Sequence, residues 1–101
     1  MSSRVRIGVI GLGEAGSLIA AGLQAAGADV IGFDAVVPET PPVPLAPDVA
    51  AVVTGADIVI SINSSTAAKK VAEQVAPLLG AGTVYADLNT GTPALKKALA
   101  G

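Results

Sequence analysis

The chain is 101 residues long, enough for one domain with one core, and 51% of it is hydrophobic while only 14% is charged. Six basic and eight acidic residues give a net charge of −2, and there is no Cys and no His. Without a basic stripe, thiols or imidazoles, the composition excludes a nucleic-acid surface, a disulfide scaffold, a Ser-His-Asp triad and a Cys/His metal site.

From the N-terminus, Val5–Ile10 is rich in β-branched residues and reads as a strand buried on both faces, as in a parallel sheet. Arg4 and Arg6 precede it, but the apolar run meets Gly11, Gly13 and Glu14, which marks a loop and not a signal peptide. Ala15–Ala26 has helical spacing, with Leu18, Ile19, Leu23 and Ala26 on one face, and Gly27 is placed to end it. A second strand, Ala28–Phe33, runs into Asp34. Residues 35–47 hold five of the seven prolines, which forbids a regular helix there. A short extended piece at Val43–Ala46 is expected on a sheet edge, where Pro is tolerated. Asp48–Thr54 suits two turns of helix capped by Asp48. Asp57–Asn63 is the third main strand. Thr66–Leu79 is a helix closed by Gly80, with Val71, Val75, Leu78 and Leu79 inward. Gly82–Leu88 is the fourth main strand, with Tyr85 in the core, and Pro93–Ala100 starts a last helix. No apolar run nears the ~18 residues of a membrane span. Alternating strands and helices predict an α/β, Rossmann-like, doubly wound parallel sheet of four main strands plus one short edge strand. The first strand should be central, between the second and the third.

Gly11-Leu12-Gly13-Glu14-Ala15-Gly16 joins strand to helix and matches the glycine fingerprint of a dinucleotide-binding turn. Gly11 permits the turn, Gly13 lets backbone approach a pyrophosphate, and Gly16 lets the helix pack on the sheet. The helix N-terminus adds unpaired N–H groups and partial positive charge. Glu14 is expected to point to solvent. Asp34 lies 18 residues after Gly16 at a strand end, where such folds place the acid that binds a ribose. The bland alternative makes these a plain turn and a loop Asp, and a methyltransferase-type sheet also pairs a glycine loop with a strand-end acid. A third Gly leading straight into a helix favours the dinucleotide. A carboxylate accepts hydrogen bonds from the ribose of NAD and repels the 2′-phosphate of NADP. Between Phe33 and Ala68 there is no Lys or Arg, so NAD is expected and NADP less so. Two further strand ends are polar, around Asn63, Ser64 and Thr66 and around Asp87, Thr90 and Thr92. Thr66 and Thr92 suit helix capping as well as ligand contact, whereas Asn63 and Thr90 favour contact. The lysine pairs Lys69–Lys70 and Lys96–Lys97 read as solvated helix faces.

G-V-I-G-L-G-E-A-G, a strand ending F-D, A-D-I-V-I-S-I-N and Y-A-D-L-N-T-G-T-P together resemble the N-terminal domain of the β-hydroxyacid dehydrogenases, which include the 6-phosphogluconate dehydrogenases. The resemblance covers nearly the whole chain. D-L-N-T-x-x-P discriminates better than the glycine loop, being similar to the family's D-x-S-T-x-x-P. It implies a dinucleotide-binding domain over residues 1–101, with Gly11 to Gly16, Asp34, Asn63, Ser64 and Thr90 against the cofactor. Three departures stand out. Ala15 replaces the family's usual Met, the proline segment replaces a helix, and the family's catalytic Lys and helical C-terminal domain lie outside the chain. No residue is therefore assigned a catalytic role, and the chain alone is expected to be inactive. The parent is expected to be a cytoplasmic NAD(P)-dependent dehydrogenase of a hydroxy acid and a homo-oligomer. A free-standing, non-catalytic nucleotide-sensing domain and a trimmed fragment are the alternatives.

Overall fold

The computed structural model describes residues 4–36, 38–63, 65–88 and 94–97. Five strands form one sheet: β1 (Arg6–Ile10), β2 (Asp29–Phe33), β3 (Ile58–Ser61), β4 (Val84–Asp87) and β5 (Ala94–Lys97). Their order is β2-β1-β3-β4-β5. The first four are mutually parallel, with Ile7 opposite Val30 on one side and Ile58 on the other, so β1 is central as expected. Helices α1 (Glu14–Ala25), α2 (Val49–Val53) and α3 (Ser65–Val75) connect them.

The sheet separates two apolar cores. Ile7, Val9, Val30 and Ile60 face α1, where Ala20 is buried and Ile19 and Leu23 pack against them. Ile10, Val59 and Tyr85 face the other way, against Val52 and Val53 of α2 and Val75 of α3. Alternate residues of each strand thus serve opposite layers, which is why the strands are apolar almost throughout.

α1 ends as its sequence suggests. Gly27 has φ of +105°, the Gly27 amide donates to Gln24 at 3.0 Å and the Ala28 amide to Leu23 at 3.1 Å. This is the paired closure in which a left-handed glycine satisfies the last carbonyls. The inward face differs from expectation, since Leu18 is 71% exposed and Ala26 is also exposed. Gly16 and Ala20 make the buried contact instead, because small residues let the helix lie close to the sheet.

α2 begins at Asp48, whose carboxylate accepts from the Ala51 amide at 2.8 Å. The proline segment wraps the β2 edge, with a bridge between Leu45 and Gly32, which realises the expected edge piece. α3 stops at Val75 rather than Leu79. Pro77, in the 3-10 turn Ala76–Leu78, cannot continue an α-helix, and Leu78 is left exposed. The expected helix over Pro93–Ala100 is also corrected, because its described part, Ala94–Lys97, is antiparallel strand β5 paired with β4. Backbone pairing along the β4 edge overrides the helical propensity of Ala, Leu and Lys. Among the described residues, no helix is long and apolar enough to cross a membrane.

Candidate functional site

The carboxyl ends of β1, β2 and β3 open onto a crevice where the strand order reverses around β1. In sheets of this class ligands bind at that switch point. The glycine loop fills its centre. Gly11 has φ of +104°, and a Cβ there would collide with the Ile62 carbonyl, so only glycine fits. A Cβ on Gly16 would collide with the Gly11 carbonyl, so this glycine brings helix and loop together. Gly13 is different. It is exposed, its φ is an ordinary −71°, and a Cβ would meet nothing within 4 Å. The protein's own packing thus gives no reason for glycine at 13.

No side chain caps α1. Its first-turn amides therefore lack a capping acceptor and carry the positive end of the helix dipole. Ser17 secures the loop from behind, its hydroxyl donating to the Leu12 carbonyl at 2.9 Å. Glu14 and Ala15 are exposed, as expected for Glu14, while Leu12 is buried in the α1-side core.

Asp34 stands at the end of β2, and its carboxylate is already engaged. One oxygen accepts from the Leu12 amide at 2.6 Å, and the other accepts from the Val36 amide at 2.9 Å. It ties the glycine loop to the second strand, a role its position in the sequence does not reveal. Asn63, just past β3, donates to the Ile10 carbonyl at 3.2 Å and to the Ser61 hydroxyl at 2.8 Å. Beneath it, Ser61 is fully buried and Tyr85 is 4% exposed. The Tyr85 hydroxyl lies near Ser61 without completing a well-formed hydrogen bond. Burial raises its pKa above the usual 10, Ser61 partly opposing that and the Asp87 charge adding to it.

A cavity of about 690 Å³ opens from this crevice toward α2 and α3. Gly11, Asp34 and Asn63 contribute to its wall, so the structure brings these three expected residues together. Ser64 and Thr90 lie outside the described residues. The wall also includes Val49 of α2 and Lys70, Val71 and Gln74 of α3, none of which the sequence reading placed here. Lys70 is exposed, as expected of a solvated helix face, and it also borders the cavity. Its spacing of four from Gln74, with Val71 between, is the signal that a shared helix face was available.

The family model for the NAD binding domain of 6-phosphogluconate dehydrogenase matches residues 6–101. No curated protein matches the chain. Among solved structures it is similar to glycerol-3-phosphate dehydrogenase from Coxiella burnetii, with a TM-score of 0.75 and 20% identity over 87% of this chain and 33% of that one. It is similar to Plasmodium falciparum pyrroline carboxylate reductase with NADP bound (TM-score 0.74, 18% identity, 84% of this chain, 33% of that one). Prephenate dehydrogenase from A. aeolicus, in complex with hydroxyphenyl propionate and NAD+, gives a TM-score of 0.72 at 18% identity, over 88% of this chain and 35% of that one. At such identities the likeness is one of fold. The chain spans about a third of the length of each of these proteins.

Proposed function

The chain belongs to the family of the NAD binding domain of 6-phosphogluconate dehydrogenase, and from that premise we propose that it is the cofactor-holding part of an oxidoreductase acting on a hydroxy acid or related substrate. The observation that carries this reading is Gly13, a glycine with open space before it beside an uncapped helix N-terminus. A pyrophosphate seated there would take backbone amides of the loop and the first turn of α1.

Asp34 would hold the adenosine ribose. Each of its oxygens keeps acceptor capacity beyond the one backbone amide it already serves. Its negative charge opposes a 2′-phosphate, so NAD should bind more tightly than NADP. Asn63, fixed by two hydrogen bonds, would face the nicotinamide half, and the family resemblance assigns Ser64 and Thr90 to the same side. When bound, the nicotinamide supplies the site that accepts or gives hydride. The chain's own residues bind it, orient it and hold the loop in place, and the acid/base and substrate-binding groups are assigned to the rest of the parent protein.

Calorimetric titration with NAD+ and NADP+ tests the assignment of Asp34. NAD+ should bind more tightly, and Asp34→Asn, which keeps an acceptor for the Leu12 amide but removes the charge, should narrow the gap. Equal affinities in the unmodified chain would refute the role given to Asp34.

A further inference from the structure

We propose that Lys70 receives the 2′-phosphate when the cavity takes NADP, so that cofactor choice is set by two opposed charges, Asp34 and Lys70. The proposal rests on the dinucleotide reading above and adds to it a residue that determines specificity.

Lys70 lies on α3 and lines the same cavity as Asp34, Asp48, Val49 and Gln74. The charged groups of that wall are unequally satisfied. Asp34 accepts from two backbone amides, and Asp48 accepts from the first turn of α2. Among the described residues Lys70 has no carboxylate partner, and the ion pair found there, Arg6 with Asp29, begins β1 and β2 at their opposite ends. An ammonium on the wall of a ligand-sized cavity, beside carboxylates held elsewhere, is arranged for an anion that arrives with the ligand.

A dinucleotide offers anions at two places. Its pyrophosphate belongs at Gly13 and the uncapped end of α1, residues that do not line the wall carrying Lys70. The other is the 2′-phosphate, carried on the ribose that Asp34 would hold. Apolar Phe33, Val49 and Val71 in the same wall suit the adenine and leave Lys70 as the cationic group beside the ribose. A flexible lysine stem acts as a point charge that needs no bidentate geometry. The pocket then prefers NAD because the Asp34 carboxylate repels a 2′-phosphate, yet it admits NADP because Lys70 offsets the added charge.

The test is calorimetric titration of the chain with NAD+, NADP+ and the pair adenosine 2′,5′-bisphosphate and adenosine 5′-monophosphate. The proteins compared are the unmodified chain, Lys70→Ala, Lys70→Arg, Asp34→Asn and the double variant Asp34→Asn/Lys70→Ala. Lys70→Ala should weaken NADP+ and the bisphosphate on the order of tenfold, the scale of one partly exposed charge-assisted contact, and leave NAD+ within about twofold. Lys70→Arg should retain NADP+ binding. Asp34→Asn should improve NADP+ binding only while Lys70 is present, and added salt should erode the Lys70 effect. Equal losses for NAD+ and NADP+ in Lys70→Ala would place Lys70 on the shared part of the ligand and overturn the proposal, as would no change in either. If neither dinucleotide binds the unmodified chain, the functional reading falls together with this one.

Discussion

Gly13 and Gly16 stand three residues apart, one at the N-cap of α1 and one in its first turn, yet the chain requires them for different reasons. Gly16 is demanded by the fold, because a methyl group there would drive into the Gly11 carbonyl. Gly16→Ala should destabilise the protein by about 1–3 kcal/mol, read from the denaturant midpoint, as overpacked contacts do. Gly13 has open space and an ordinary backbone, so Gly13→Ala should change stability by less than about 0.5 kcal/mol. Its loss should appear in dinucleotide affinity. Equal stability losses for both variants would refute this division of labour. Tyr85 offers a second test at this scale, because it is the chain's one tyrosine. Its folded pKa is raised above 10 chiefly by burial. The folded state therefore favours the protonated phenol, and Tyr85 contributes its full stability below pH 10 and loses it as pH rises through the folded pKa. Tyr85→Phe removes a buried hydroxyl without a well-formed partner, so it should be neutral or slightly stabilising at neutral pH and flatten the alkaline decline. Denaturation midpoints on either side of pH 10 check both halves, and a tyrosinate absorbance titration with an unshifted midpoint would contradict the first.

α2 is only five residues long, and its existence depends on its two attachments. Asp48 caps its first turn, and Val52 packs so closely over β1 that a Cβ on Gly8 would strike the Val52 side chain. Asp48→Ala should cost about 1 kcal/mol. Because Val49 and Ala50 line the cavity, dinucleotide affinity should fall with it. Unchanged affinity would show that α2 does not shape the ligand's wall. Much of this architecture was legible in the sequence. Apolar, β-branched runs located β1 to β4, helical spacing located α1 and α3, Asp48 announced the cap of α2, and the prolines announced an edge segment. Long-range partners were less legible. Leu18 shared a helical spacing with Ile19 and Leu23, but the sheet approached along Gly16 and Ala20, where small residues permit contact. Ala94–Lys97 carried helix-forming residues, and only the unpaired edge of β4 decided otherwise. Likewise Asp34 could be located but not its grip on the Leu12 amide, which joins residues 22 apart.

At the scale of the molecule, the parallel order around β1 supplies the crevice, and the two cores hold the helices that wall it. Hydride exchange with a hydroxyl-bearing carbon also needs a proton donor or acceptor near the operating pH. The chain has no His and no Cys, and Tyr85 is buried with a raised pKa. We therefore expect this chain alone to bind a dinucleotide without turning over hydroxy acids. An assay of NADH formation should show no signal above a Gly13→Glu control. Robust turnover would mean that a residue of this chain supplies the acid/base role.

The proline segment has a consequence beyond closing the fold. The Gly32 amide donates to the Pro44 carbonyl at 2.9 Å, and the Gly32 carbonyl accepts from the Ala46 amide at 2.8 Å, so the middle of the β2 edge is spent on its own chain. An unguarded edge of this kind is a template on which a foreign strand can grow and seed aggregation. Prolines cannot donate to such growth, and here they lie across it. Association of two copies by strand addition is thereby steered away from β2, which ends the sheet on one side among the described residues.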